Sequence, residues 1–122
     1  DDYNAEAEFT SEDQKYITEH LSAAITEITD NMDKDRYDLA AERLYHFVWD
    51  HFASTVLEES KPLLAEAGSA RQSRQKLLRE YLVVSLKALH PFMPFVTETI
   101  WQELPKEMKD TELLMISNWP EL

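Results

Sequence analysis

Four histidines, twenty-four carboxylates and no cysteine set the chemistry open to this chain of 122 residues. Glu42, His46 and Asp50 recur at i, i+4 and i+8, so a helix would put all three on one face. Such a triplet can hold a divalent cation. It is also what the solvated stripe of an amphipathic helix looks like, and that is the reading adopted. Neither Glu-x-x-His nor His-Glu-x-x-His occurs, so the spacings of di-iron and zinc-protease sites are missing. There is no thiol nucleophile, and with a single glycine there is no glycine-rich loop to cradle a phosphate. Most carboxylates fall on faces expected to be exposed, where they simply ionise. An autonomous active site is not expected.

Positive charge gives the second lead. Residues 61–90 hold six bases against two acids, whereas residues 1–35 hold eleven acids against two bases and the whole chain is at −12. Lys61, Arg71, Arg74, Lys76 and Arg79 therefore stand out. By themselves they read as a solvated loop with ordinary helix charges. An acidic total argues against a free-standing nucleic-acid binder, because phosphate contacts need Lys and Arg. Tyr45 and Trp49 could stack on unpaired bases. In a helical bundle such aromatics more often belong to the core.

These residues need elements to position them, and the hydrophobic period supplies helices. Residues 1–9 read as a linker. Ser11-x-x-Gln14 matches a capping box, with Thr10 or Ser11 as the cap and Phe9 able to staple the first turn. Ile17, Leu21, Ala24, Ile25, Ile28 and Met32 then mark one stripe of a helix over 11–33. Asp35 can cap a second helix of about 25 residues, whose stripe runs through Tyr37, Ala41, Leu44, Val48, Phe52 and Val56. Pro62 should end or kink it. The stretch 65–75 around Gly68 reads as an exposed loop.

A third helix, from about 72 to His90, is apolar nearly all round and therefore central. Pro91 and Pro94 make a corner expected to be buried, and Pro94 suits the first turn of a fourth helix over 94–104. The run 113–116 reads as an extended segment packed on the bundle, closed by Trp119-Pro120. The sum is an all-α antiparallel bundle of about four helices in one domain, 10–122. No stretch reaches the roughly 20 apolar residues of a membrane span. The N-terminus is acidic, unlike a secretory signal. Without an initiator Met, the chain reads as an excised piece.

Two blocks carry a resemblance. YDLAAERLYHFVWDHFA at 37–53 with its VLEESK close at 56–61, and LHPFMPFVTETIWQEL at 89–104, resemble the anticodon-binding helical domain of class I aminoacyl-tRNA synthetases, the valyl type most of all. Tyr45, Phe47, Trp49, Phe52, Glu58 and Lys61 occupy the motif of the second helix. The Leu-His-Pro block is complete over 89–101, and Trp119-Pro120 matches the family's close. The resemblance spans roughly residues 10–120. Leucyl and isoleucyl relatives share much of it. Ser54-Thr55-Val56 departs from the Asp-aromatic-Tyr step usual in the family. A helix that precedes this stretch in the family is not within the sequence, so the bundle is expected to be incomplete at its N-terminus.

The resemblance implies a bundle that holds a tRNA anticodon stem-loop, that of tRNA(Val), for a cytoplasmic ligase. Its catalytic Rossmann domain would lie elsewhere in the same chain. ATP and Mg²⁺ would bind there, with no cofactor in these 122 residues. Phe47, Leu89, Phe92, Met93, Phe95, Ile100 and Trp101 would form core. Glu58 reads equally as a solvated helix residue and as an acceptor from an exocyclic amine of an unstacked base. Lys61 would pair a phosphate, and Arg71 and Arg74 would extend that contact. The contrasting expectation, which the net charge supports, is a helical protein-interaction module without an RNA role.

Overall fold

The computed structural model describes residues 9–65 and 68–120; the expected linker thus lies, but for Phe9, outside the described residues. Four helices make the molecule, and no strand occurs among the described residues. Ser11–Lys15, Tyr16–Leu21 and Ser22–Asp33 follow one another without a break and together form α1 (11–33). Tyr37–Tyr45, His46–Val56 and Leu57–Ala65 likewise form α2 (37–65). Then come α3 (Ser69–Leu89) and α4 (Pro94–Glu103). The short connections reverse the chain between α1 and α2 and again between α2 and α3, so α1 and α3 run parallel, as in an up-down bundle.

The middle segments of α1 and α2 are wound more widely, as π-helix. Ser54 Oγ and Thr55 Oγ1 donate to carbonyls five residues back, Trp49 O at 3.0 Å and Asp50 O at 3.2 Å. These wide turns are where rings from α1, α2 and α3 meet. Phe47 stacks on Tyr81 at 5.6 Å between centroids, and His20 stacks on His51 at 4.6 Å. One apolar core joins the three long helices through Leu21, Ile25, Ile28, Leu44, Phe47, Val56, Leu77, Tyr81 and Val84. A second, smaller cluster of Leu86, Trp101 and Leu114 seats α4 and the C-terminal segment on the far end of α3.

Helix ends follow local chemistry. Thr10 is the N-cap of α1, its hydroxyl accepting from Asp13 N–H at 3.2 Å. Of the two expected caps, Thr10 and Ser11, it is thus Thr10 that serves, and the reciprocal half of a box does not form, since Thr10 N–H donates to Ser73 Oγ. Asp35 does not cap α2: it lies at φ 60 in the turn and accepts from Tyr37 Oη at 3.0 Å. Its short polar side chain tolerates the left-handed conformation better than most. Pro62 does not end α2 either, since the helix runs on to Ala65. Pro62 is exposed, so water can serve the carbonyl that loses its N–H partner there. Helix α3 begins at Ser69, which turns most of the expected loop into helix.

The 113–116 run is a short 3-10 turn rather than an extended segment, and it buries only Leu114. Glu98 of α4 clamps it, accepting from Leu114 N–H at 3.0 Å and Met115 N–H at 3.1 Å. Burial by itself would raise the Glu98 pKa. The Leu114 N–H, the Gln102 amide and the Met115 N–H outweigh it and hold the carboxyl below its usual range. Trp119 anchors the end as expected, donating from Nε1 to Thr29 Oγ1 at 2.7 Å. No helix among the described residues is long and apolar enough to cross a membrane.

Candidate nucleic-acid interface

The last turns of α2 pack against the first turns of α3, and this end of the bundle carries the basic segment. Glu58 and Lys61 stand together on the outside of α2. Lys61 Nζ lies 3.0 Å from Glu58 Oε2, and both side chains are 70% exposed. A pair so open to water is worth at most about 1 kcal/mol. Either partner is therefore easily drawn to a ligand.

Arg71 sits half-buried in the first turn of α3. Arg74, one turn on, is not at the surface at all: it is 1% exposed, facing inward between α1 and α2. Its Nε and Nη2 donate to Asp13 Oδ1 at 3.1 and 2.7 Å, and its Nη1 donates to Ser60 Oγ at 3.0 Å. Ser73 Oγ donates to Asp13 Oδ2 at 2.5 Å and accepts from Thr10 N–H at 2.9 Å. The expectation that Arg74 touches phosphate is corrected by this burial. Its charge is already neutralised by Asp13, and reaching a ligand would mean abandoning a buried carboxylate.

The same junction extends into the ring cluster. The Arg74 guanidinium lies 5.0 Å from the centre of the Tyr16 ring, and Tyr16 Oη donates to Glu59 Oε1 at 2.6 Å. That bond, burial and the Glu59 charge push the Tyr16 phenol up to about 12, against the opposing pull of Arg74. Burial raises Tyr81 as well. His51 Nε2 lies 2.9 Å from Tyr81 Oη. Burial foremost, then the neighbouring His20 and Arg43, brings the His51 pKa down to about 4. His46 and Asp50, two members of the metal-like triplet, instead pair with each other at 2.7 Å on the exposed side of α2.

At the opposite end the aromatic expectation is reversed. Trp49 is 60% and Tyr45 57% exposed, so neither is core. With Ala41, Leu44, Val48, Leu89, Phe92 and Met93 they line an apolar groove of about 280 Å³ between α2 and the proline corner. Of the residues expected to hold the bundle, Phe47 and Trp101 are buried and Leu89 and Phe92 half-buried. Met93, Phe95 and Ile100 are exposed, as is much of the corner. The reason is geometric. Among the described residues α1 and α3 cover one side of α2, and its other side and much of the corner are left open.

Comparison with known proteins decides the family. Residues 14–122 match the family described as the anticodon-binding domain of tRNA ligase. The chain belongs to that family. The domain is 38% identical over 109 residues to a valine–tRNA ligase of Petrotoga mobilis, covering 89% of this chain and 12% of that protein. It is 40% identical over 114 residues to a valine–tRNA ligase of Listeria innocua, covering 93% of this chain and 13% of that protein. A valine–tRNA ligase of Thermotoga maritima is 38% identical over 108 residues, again 12% of its own length. The chain thus spans about an eighth of the length of these relatives.

The domain's buried Asp13–Arg74 pair was missed in the sequence, although a trace was there. Extending the stripe Ile17, Leu21, Ile25 back by one turn reaches Asp13. Extending Leu77, Tyr81, Val84 back in the same way reaches Arg74. A charge at an interior position of each of two facing helices is the mark of such a pair.

Proposed function

We propose that the domain holds the anticodon stem-loop of tRNA(Val) for a valine–tRNA ligase, with the catalytic Rossmann domain in the same polypeptide. The observation that carries this reading is the match of nearly the whole chain to proteins of that name, at about 40% identity. In this reading ATP and Mg²⁺ are held by the catalytic domain, the enzyme works in the cytoplasm, and the bundle contributes by position. Binding energy far from the reacting atoms places the acceptor end of the tRNA. Lys61 supplies the phosphate contact and Glu58 an acceptor for a base amine. Arg71 supports them from the start of α3. Arg74 does not take part directly; it fixes the junction from which Lys61 projects.

The test is Lys61→Ala in the full-length enzyme. The KM for tRNA rises severalfold and the salt dependence of tRNA binding loses about one unit of log–log slope, as expected for one phosphate contact. Valine-dependent ATP–pyrophosphate exchange stays unchanged, since the activation site lies elsewhere. An unaltered tRNA KM would remove Lys61 from the interface.

A further inference from the structure

The change of winding in the middle of α2 decides which way its last turns face. Phe47 and Val56 stand nine residues apart and are both buried. In an ordinary helix nine residues make about two and a half turns, so the two side chains would point in opposite directions. The residue that would share the buried face of Phe47 is Glu58, eleven residues or about three turns further on. The structure shows the reverse: Val56 is inside and Glu58 is outside. The wide winding of His46–Val56 makes this exchange, because each of its turns takes in more residues.

Side chains on both flanks of the wide stretch tie it to the bundle. Phe47 stacks on Tyr81 near its start. Beyond its end Ser60 Oγ accepts from Arg74 Nη1 at 3.0 Å, and Glu59 Oε1 accepts from Tyr16 Oη at 2.6 Å. Leu57 N–H still donates five residues back, to Phe52 O. By Ser60 the ordinary reach has returned, since its hydroxyl donates four residues back to Val56 O at 2.6 Å. Within the wide stretch two hydroxyls reach five back instead, Ser54 to Trp49 O at 3.0 Å and Thr55 to Asp50 O at 3.2 Å. A hydroxyl in an ordinary helix bonds the carbonyl four residues back, so these two bonds fit the wide winding and not the narrow one. Both residues are exposed, so what they contribute is the hydroxyl rather than packing.

We infer that Ser54 and Thr55 are positioning residues for the RNA contact: their hydroxyls hold the wide winding of α2 that turns Val56 inward and presents Glu58 and Lys61 to the ligand. They act through the direction in which the last turns of α2 face, without touching RNA themselves. The inference rests on the reading of Lys61 as a phosphate contact.

The experiment combines Ser54→Ala with Thr55→Val in the full-length ligase. The KM for tRNA(Val) rises about fivefold, as for the loss of one ordinary hydrogen bond. Valine-dependent ATP–pyrophosphate exchange is unchanged, and the melting temperature moves no more than for other exposed sites. Ser54→Thr with Thr55→Ser keeps both hydroxyls and retains the original KM. Lys61→Ala placed on top of the Ala/Val variant adds less than its full effect, because the two changes act on one contact. An unchanged KM in the Ala/Val variant, a raised KM in the hydroxyl-keeping variant, or full additivity with Lys61→Ala each overturns the inference. A lower melting temperature with an unchanged KM also overturns it, since the hydroxyls then serve stability alone. If Lys61→Ala by itself raises the KM and the Ala/Val variant does not, this inference falls and the anticodon reading stands. If Lys61→Ala is silent as well, the reading of Lys61 falls with it.

Discussion

Where α1 starts, α2 ends and α3 starts, an arginine, an aspartate and two serines are sealed from water. Toward the other end, where α2 begins and α3 stops, a tryptophan, a tyrosine and a methionine face outward. The usual distribution is inverted at both ends, for different reasons. The polar junction is closed because every charge in it has a partner within 3.1 Å. Its cohesion depends on completeness, since a partly satisfied buried network costs more than an apolar one. The apolar groove is open because nothing in the described residues reaches over it. One end finishes its own chemistry, and the other offers surface to something else.

The sharpest way to break this contrast is Arg74→Met. It keeps bulk but leaves the Asp13 carboxylate buried without its cation. The expected loss is about 3–5 kcal/mol, read as a lower urea midpoint. Adding Asp13→Leu to the same protein should recover most of it, because a pair of apolar residues can replace a buried ion pair at little or no cost. If Arg74→Met is silent, the junction is not the closed network described above.

A smaller effect comes from pH. The His51 pKa is brought down to about 4, against an ordinary value of 6.5 in the unfolded chain. The folded state thus binds fewer protons in that window. The His51 contribution is complete above pH 6.5 and is lost as pH falls toward 4. The facing groups are His20 and Tyr16 on α1, Arg43 and Glu59 on α2, and Tyr81 on α3. His51→Gln keeps a hydrogen-bonding group toward Tyr81 and removes the titration. The slope of melting temperature against pH between 7 and 5 should be shallower in the variant. Equal slopes would show that His51 titrates as if unfolded.

The smallest effect belongs to the open end. Trp49→Ser in the 122-residue chain should change stability by no more than about 0.5 kcal/mol, as for an ordinary exposed site. A loss near the 3–5 kcal/mol typical of a truncated core aromatic would mean that Trp49 is interior after all.

The four helices were legible because each has an apolar stripe at the helical period and because prolines punctuate the corner. The end of α3 and the start of α4 follow from Pro91 and Pro94 almost to the residue. Other features were hidden for physical reasons. Periodicity says which residues share a face; it does not say whether that face is covered. Tyr45 and Trp49 carry an interior pattern, and only the count of helices around α2 reveals that their side is open. Arg74 shows the converse error. Its type and its place in a basic run suggested the surface, whereas its spacing from Leu77 and Tyr81 put it inside. Of the candidate site, Glu58 and Lys61 stand exposed toward the end of α2, whereas Arg74 is buried away from the surface.

The tie between Trp119 and Thr29 spans 90 residues. It brings nearly the last described residue onto the first helix. During synthesis, α1 leaves the ribosome well before the indole that covers its flank. At about 5–20 residues per second, that flank waits on the order of 5–20 seconds. Over that interval the nascent bundle carries an unfinished seam along α1.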